Sequence, residues 1–274
     1  SGMRQFLATV AVSGCFAVSG SVVHAGEVDD LLDALGVPQI VEIMRAEGLE
    51  YGDTLAADMV PGGSTDGWRA TVDRIYDAAR MLETVRGVFT QEFGTADIDP
   101  LIEFFESDLG QQVVSLELSA RTAMREQEIE DAARAAFRDL EGTDSATLAT
   151  IADFVDTNDL VEANLVGALN ANYMFYLGLV DGGALEMSEQ DILTEVWSSE
   201  EETRTDTREW VFAFLLMAYR PLEDGVVEDY TELSQTDPGR ALNRALFAGF
   251  NEMYDDISYA LGMAVARQMQ VQEL

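Results

Sequence analysis

The chain of 274 residues contains no lysine, one histidine and one cysteine. Each scarcity removes a chemistry. Without lysine there is no Schiff-base nucleophile and no cation for a P-loop. His24 and Cys15 both precede Gly26, in a segment that reads as a leader. Once they leave, no Ser-His-Asp triad, Cys-His dyad or conventional zinc site can be assembled. No disulfide remains either, so stability must come from core packing. No G-x-G-x-x-G follows a strand-like run, which removes the dinucleotide fingerprint. The expectation is a chain with no cofactor and no metal ligand set. Carboxylate chemistry alone is left: glycoside hydrolysis or oxygen-ligated ions.

Positive charge is scarce as well. Sixteen basic residues, all arginine, face 51 acids, for a formal charge of −35. A nucleic-acid binder that works by phosphate neutralisation needs a basic face, so that class is excluded. Docking on an anionic membrane surface is disfavoured on the same ground. Solubility in a salty medium is the first explanation of such charge, since screening tames self-repulsion. A cationic protein or peptide partner is the second. The 47% of hydrophobic residues is ample for a packed core, in one large domain or two modest ones.

Residues 1–25 are expected to stand apart from the fold. Ser1-Gly2 precede Met3, which reads as the natural start. Arg4, an apolar stretch from Phe6 to Val23, and Val23-His24-Ala25 before Gly26 form a secretory signal pattern. Cleavage there makes the protein periplasmic or secreted, with 51 acids against 15 arginines. The alternative is a lipoprotein anchored through Cys15, in the stretch Val12-Ser13-Gly14-Cys15.

The rest reads as helix. Trp68, Val72, Ile75, Ala79, Leu82, Phe89 and Phe93 recur at steps of three, four or seven, which predicts one stripe down a long helix. Leu242, Leu246, Phe250, Met253, Ile257, Leu261 and Ala264 predict another, with Glu252, Asp255 and Asp256 left in water. Helix stops are expected at Gly36-Val37-Pro38, Pro61-Gly62-Gly63-Ser64, Gly142-Thr143-Asp144 and Asp181-Gly182-Gly183, and Ser188 offers an N-cap. The fold class predicted is all-α, with roughly ten helices.

A shift of 129 residues lays Asp30-Leu31 on Asp159-Leu160, Trp68 on Trp197, Glu103 on Glu232 and Arg138 on Arg267. The best local match sets Ser107-Asp108-Leu109-Gly110-Gln111 against Thr236-Asp237-Pro238-Gly239-Arg240. The expectation is a tandem duplication, with helical halves at 26–155 and 156–274 packed together. In the shared element, Ser107 and Thr236 would cap a helix, and Asp108 and Asp237 would sit in its first turn. Gly110 and Gly239 would let a neighbour approach closely. A helix-hairpin corner is the favoured reading, ahead of a ligand site.

Phe104-Phe105-Glu106-Ser107-Asp108-Leu109-Gly110-Gln111 resembles the Phe-Tyr-x-Ser-Pro-x-Gly-Gln signature of the bacterial domain of unknown function 2059. Val88-Phe89-Thr90-Gln91-Glu92-Phe93 is similar to that family's Phe-Thr-x-x-Glu-Leu stretch. The resemblance covers residues 75–140 and reaches the second half only through the internal repeat. It implies an exported, mostly helical protein of no established activity. Asp108 departs from the family's usual Pro, and the second copy carries Pro238 one place later.

Candidate sites are few. Glu200-Glu201-Glu202 supplies acids for a glycosidase, but a solvated helix start explains them better. Core packing is the favoured reading for Trp68, Trp197 and Trp210. Asp156-Thr157-Asn158-Asp159 with Glu162, and Asp97-Ile98-Asp99, offer oxygens for calcium but match no EF-hand loop, so helix capping is favoured. Ala163 to Val180 carries no charge over eighteen residues, and its amides argue for a buried central helix over a membrane span. Asn164, Asn170, Asn172, Tyr173 and Tyr176 on that helix are the binding candidates. The function read from the sequence is an exported, non-catalytic binding or interaction module of the bacterial envelope. The alternative is a carboxylate-dependent hydrolase of cell-wall glycan.

Overall fold

The computed structural model describes residues 25–271, and the segment expected to be a leader, with Arg4, Cys15 and His24, lies outside them. The described residues fold into thirteen α-helices with no strand. In chain order they are α1 (Ala25–Ala34), α2 (Val37–Met59), α3 (Asp66–Ile75), α4 (Ala78–Phe93), α5 (Asp99–Glu106), α6 (Asp108–Ala123) and α7 (Gln127–Leu140). There follow α8 (Ala146–Thr157), α9 (Leu160–Asp181), α10 (Glu189–Trp197), α11 (Glu200–Tyr219), α12 (Val226–Gln235) and α13 (Asp237–Val271). Every glycine- or proline-marked break falls between helices. Ser188 forms a full capping box with Asp191 at the start of α10.

One predicted helix is two. The stripe from Trp68 to Phe93 is interrupted at Tyr76, whose ψ of 43° leaves the helical region, and α4 starts afresh at the Asp77 cap. The Asp77 carboxylate accepts from the Arg80 backbone N–H at 2.8 Å. Carbonyls freed at the end of α3 are taken by Arg45, whose Nη1 donates to Asp73 O at 3.0 Å and Tyr76 O at 2.6 Å. Within α4 the buried side is Met81, Val85, Phe89 and Phe93, so Leu82 is only half-buried and Ala79 is exposed.

The C-terminal stripe is real and wider than predicted. Helix α13 is about 52 Å long at 1.5 Å per residue and packs chiefly against α4 and α9. Both crossings are set by glycine. A Cβ on Gly262 would stand 2.2 Å from the Phe175 carbonyl, and one on Gly178 would stand 2.4 Å from the Tyr259 carbonyl. Where α13 meets α4, a Cβ on Gly249 would lie 2.9 Å from the Val85 carbonyl. Asp255 corrects the expectation of a fully solvated acidic side: it is half-buried, and its Oδ1 has no hydrogen-bond partner among the described residues.

The main apolar core runs through both sequence halves, joining Val28, Phe89 and Phe137 to Trp210, Phe250 and Leu261. The boundary expected at 155/156 falls inside α8. Two polar contacts pin the interior. Buried Arg121 on α6 donates to both oxygens of Glu47 on α2, at 3.1 and 2.8 Å, and lies 5.7 Å from the Trp210 ring on α11. The phenol of Tyr219 on α11 donates to Glu117 on α6 at 2.7 Å.

Helix order and packing recur along the chain. Helix α1 packs on α2, α4 and α5, and α8 packs on α9, α11 and α12. Helix α3 rests on α2 as α10 rests on α9. The two corners have the same geometry: Ser107 accepts from Gly110 N–H and Thr236 from Gly239 N–H, each at 3.1 Å. A Cβ on either glycine would meet the preceding helix's carbonyl, of Phe104 or Leu233, at 2.0 Å. The uniform shift of 129 holds only from α5 onward. Earlier, left-handed Gly36 opens α2 as left-handed Asp159 opens α9, and cap Thr65 corresponds to cap Ser188, both pairs 123 apart. Trp68 is fully buried, whereas Trp197, 50% exposed, is no core residue.

Replacing Gly262 with Ala should destabilise by about 3 kcal/mol, because the obstacle is backbone that cannot rotate away. Gly87, inside α4 with open space around its Cα, is the control. Gly87→Ala should stabilise by about 0.5–1 kcal/mol through helix propensity. Urea unfolding of both variants reads the difference, and equal effects would contradict the close-crossing account.

Candidate functional site

The break between α3 and α4 makes an elbow, and α13 passes beneath it. Between them lies a cavity of about 520 Å³, within the range of small-molecule sites. Its apolar lining includes Ile75, Met81, Met253, Ile257 and Met263. Three arginines line it too: Arg74 in the last turn of α3, Arg80 in the first turn of α4 and Arg267 near the end of α13. None of the three forms an ion pair with a described residue; nine other arginines do, and Arg220, Arg240 and Arg244 do not. Arg74 only touches its neighbour Thr71, at 3.3 Å. Arg80 also stands at the helix end whose dipole favours anions.

One carboxylate, Asp256, shares the lining. Burial and then the neighbouring Glu252 push it up to about 6. Beside it, burial followed by Glu252 and Asp256 pushes Asp255 up to about 7. The lining is thus cationic on balance in a chain with an overwhelming excess of acid. Guanidinium forks bind carboxylate or phosphate oxygens two at a time, and thioethers adapt to irregular apolar shapes. The arrangement can hold an anionic group beside an apolar one.

The residues singled out from sequence do not converge there. Helix α9 is buried on most sides, and no described helix is long and apolar enough to cross a membrane. Asn164 is buried and donates to Leu160 O at 2.6 Å, Asn170 is exposed, and Asn172 is half-buried. At 100° per residue these side chains fan around the helix instead of lining one side. Tyr173 and Tyr176 pack on a small apolar cluster of Leu165, Leu169, Ile192 and Val196. Ser107, Asp108 and Gly110, with Thr236, Asp237 and Gly239, build the two corners described above. Among the described residues no group of three or more acids is placed to hold a metal ion. Asp159 opens α9, Glu162 pairs with Arg204 at 2.8 Å, and Asp97 accepts from the Asp99 N–H.

In the two described cavities, acids are not set against a tryptophan wall. Glu200 bonds Arg204, while Glu201 and Glu202 line a second cavity of about 580 Å³ with Asp206, Glu209 and buried Arg134. No tryptophan lines either cavity. Glu117 has a general acid's tuning: burial pushes it up to about 7, against the lowering bond from Tyr219. It belongs to helix packing and lines neither cavity.

The arginine trio was missed because Arg267 lies far from Arg74 and Arg80 in sequence and all three look like ordinary surface residues.

Residues 79–139 match the family described as an uncharacterised protein conserved in bacteria, the domain of unknown function 2059. The matched segment runs from α4 to α7 and holds the Ser107 corner. No curated protein and no solved structure shows significant similarity to the chain.

Raised carboxylates give stability a definite pH slope. A carboxyl whose folded pKa exceeds its unfolded value binds more protons in the folded state, so stability falls as pH rises from about 4 to about 7. Glu117→Gln keeps an acceptor for Tyr219 but cannot ionise. It should be more stable than the parent at pH 8 and converge with it toward pH 4, in urea melts at fixed ionic strength. Parallel profiles would show that Glu117 titrates normally.

Proposed function

We propose that the chain is an exported, non-catalytic binding module of the bacterial envelope, and that its ligand site is the cavity between the α3–α4 elbow and α13. The observation that carries this reading is the set of three arginines without carboxylate partners around one apolar-floored cavity. With no carboxylate bonded to them, these guanidinium forks are free to take an oxyanion from a ligand. Export is supported by the leader pattern and by the family resemblance. The recurring helix order supports descent from a tandem duplication. Relatives lacking a left-handed-tolerant residue at the positions of Gly36 and Asp159 would count against that descent.

The hydrolase alternative has no comparable support, since neither described cavity sets an acid pair against a tryptophan wall. Both readings meet in one experiment on the chain from Gly26. A small-molecule extract of bacterial envelopes should raise the melting temperature, because a ligand bound only by the folded state stabilises it. Ala260→Phe, which fills the cavity from α13, should abolish the shift, and peptidoglycan incubated with the protein should release no new reducing ends. A shift that survives Ala260→Phe would move the site elsewhere. New reducing ends released by the protein would favour the hydrolase.

A further inference from the structure

The binding-module reading says where a ligand sits, and the chemistry of the lining says what kind. We propose that the cavity takes a single-chain anionic amphiphile, its oxyanion head held among Arg74, Arg80 and Arg267 and its apolar chain laid along Met81, Met253 and Met263. The assignment rests on the cavity being the ligand site.

Each half of the lining selects against ligands that lack the matching half. An inorganic oxyanion would satisfy the guanidinium groups but leave the methionine wall wet. A neutral apolar molecule would cover the wall and leave the guanidinium groups with water alone. A cationic amphiphile would be drawn to the −35 surface in general but repelled from this cavity. Only an oxyanion joined to an apolar chain uses both halves. Carboxylate and phosphate heads share this chemistry, since the guanidinium fork matches either.

Placement of the charges supports the same occupant. Arg74 and Arg80 flank the elbow on consecutive helices, and Arg267 comes from α13 on the other wall. Two elements that approach only through the fold thus both present unpaired guanidinium groups to one space. Met81 and Met253 are buried and Met263 is half-buried, so the wall is continuous with the core. Unbranched thioether side chains can repack around chains of different length, which suits an acyl or alkyl tail.

The test uses the chain from Gly26 with methyl-labelled methionine. Probes are dodecanoate, dodecyl phosphate, dodecanol, dodecyltrimethylammonium and inorganic phosphate, each kept below micelle formation. Dodecanoate and dodecyl phosphate should shift the methyl signals of Met81, Met253 and Met263. Dodecanol should bind at least about tenfold more weakly, the worth of one good charge-assisted contact. Arg74→Gln, Arg80→Gln and Arg267→Gln, all at exposed positions, should each weaken dodecanoate by about tenfold with an unchanged melting temperature. Ala260→Phe, with all three arginines intact, should block the tail and the methyl shifts together.

Dodecanol matching dodecanoate, or arginine variants at parental affinity, would overturn the anionic assignment while leaving the cavity a binding site. Inorganic phosphate matching dodecyl phosphate would overturn the amphiphile and leave a simple oxyanion site. If no probe moves the three methyl signals, the amphiphile assignment falls, and the envelope extract then decides separately whether the cavity binds anything.

Discussion

Helix α13 can run the length of the molecule only because glycine stands at its crossings. At Gly262 and Gly178 two helix backbones touch, with the facing carbonyls so near that no Cβ fits. At Gly249 the same helix meets the carbonyl of Val85. These contacts bring α4, α9 and α13 closer than side-chain interdigitation alone permits. Much else follows from them. Closeness at Gly249 sets how α4 lies on α13, and the α3–α4 elbow therefore stands over the helix segment that carries Met253, Ile257 and Met263. The cavity is a product of the spacing on either side of a tight contact.

Charge is distributed by a related economy. With so few cations, the fold commits them selectively. Arg121 is spent inside, fixing α2 to α6 through Glu47 and resting on Trp210. Arg208 lies over the stacked Phe137 and Phe212 rings and also pairs with Glu141, joining α7 to α11. Arg204 and Arg134 bind two or more acids each. Arginine suits these posts because its fork takes both carboxylate oxygens and its plane lies on aromatic rings, which an ammonium group cannot do. Of the arginines that make no ion pair among the described residues, Arg74, Arg80 and Arg267 are gathered around one cavity, with Asp256 the one carboxylate in its lining.

Legibility in the sequence followed the range of the interactions. Helix ends at Gly36, Pro61, Gly142 and Gly182, and the caps Ser107, Thr236 and Ser188, depend on a few adjacent residues and could be read directly. The break at Tyr76–Asp77 could not, since the apolar period continues across it and the interruption depends on Arg45, some thirty residues away. Trp197 illustrates the opposite error. Its match to Trp68 rested on a constant shift, whereas α11 is four residues longer than α4 and the register changes before α5. The fold class and the corners were local matters. The cavity required residues from α3, α4 and α13 to meet, and no local pattern announces that meeting.

Methionine on the cavity wall ties the site to redox chemistry. A thioether oxidised to sulfoxide becomes polar and chiral, and the apolar surface it supplied is lost. Met263 is half-buried and comes within reach of small oxidants, while Met81 and Met253 lie deeper. A wall of leucine or isoleucine would be indifferent to peroxide or hypochlorite. Here one oxygen atom added at Met263 would roughen the wall without unfolding the chain, and enzymatic reduction would smooth it again. In an oxidising compartment, the occupancy of the cavity would record the balance between oxidant and repair.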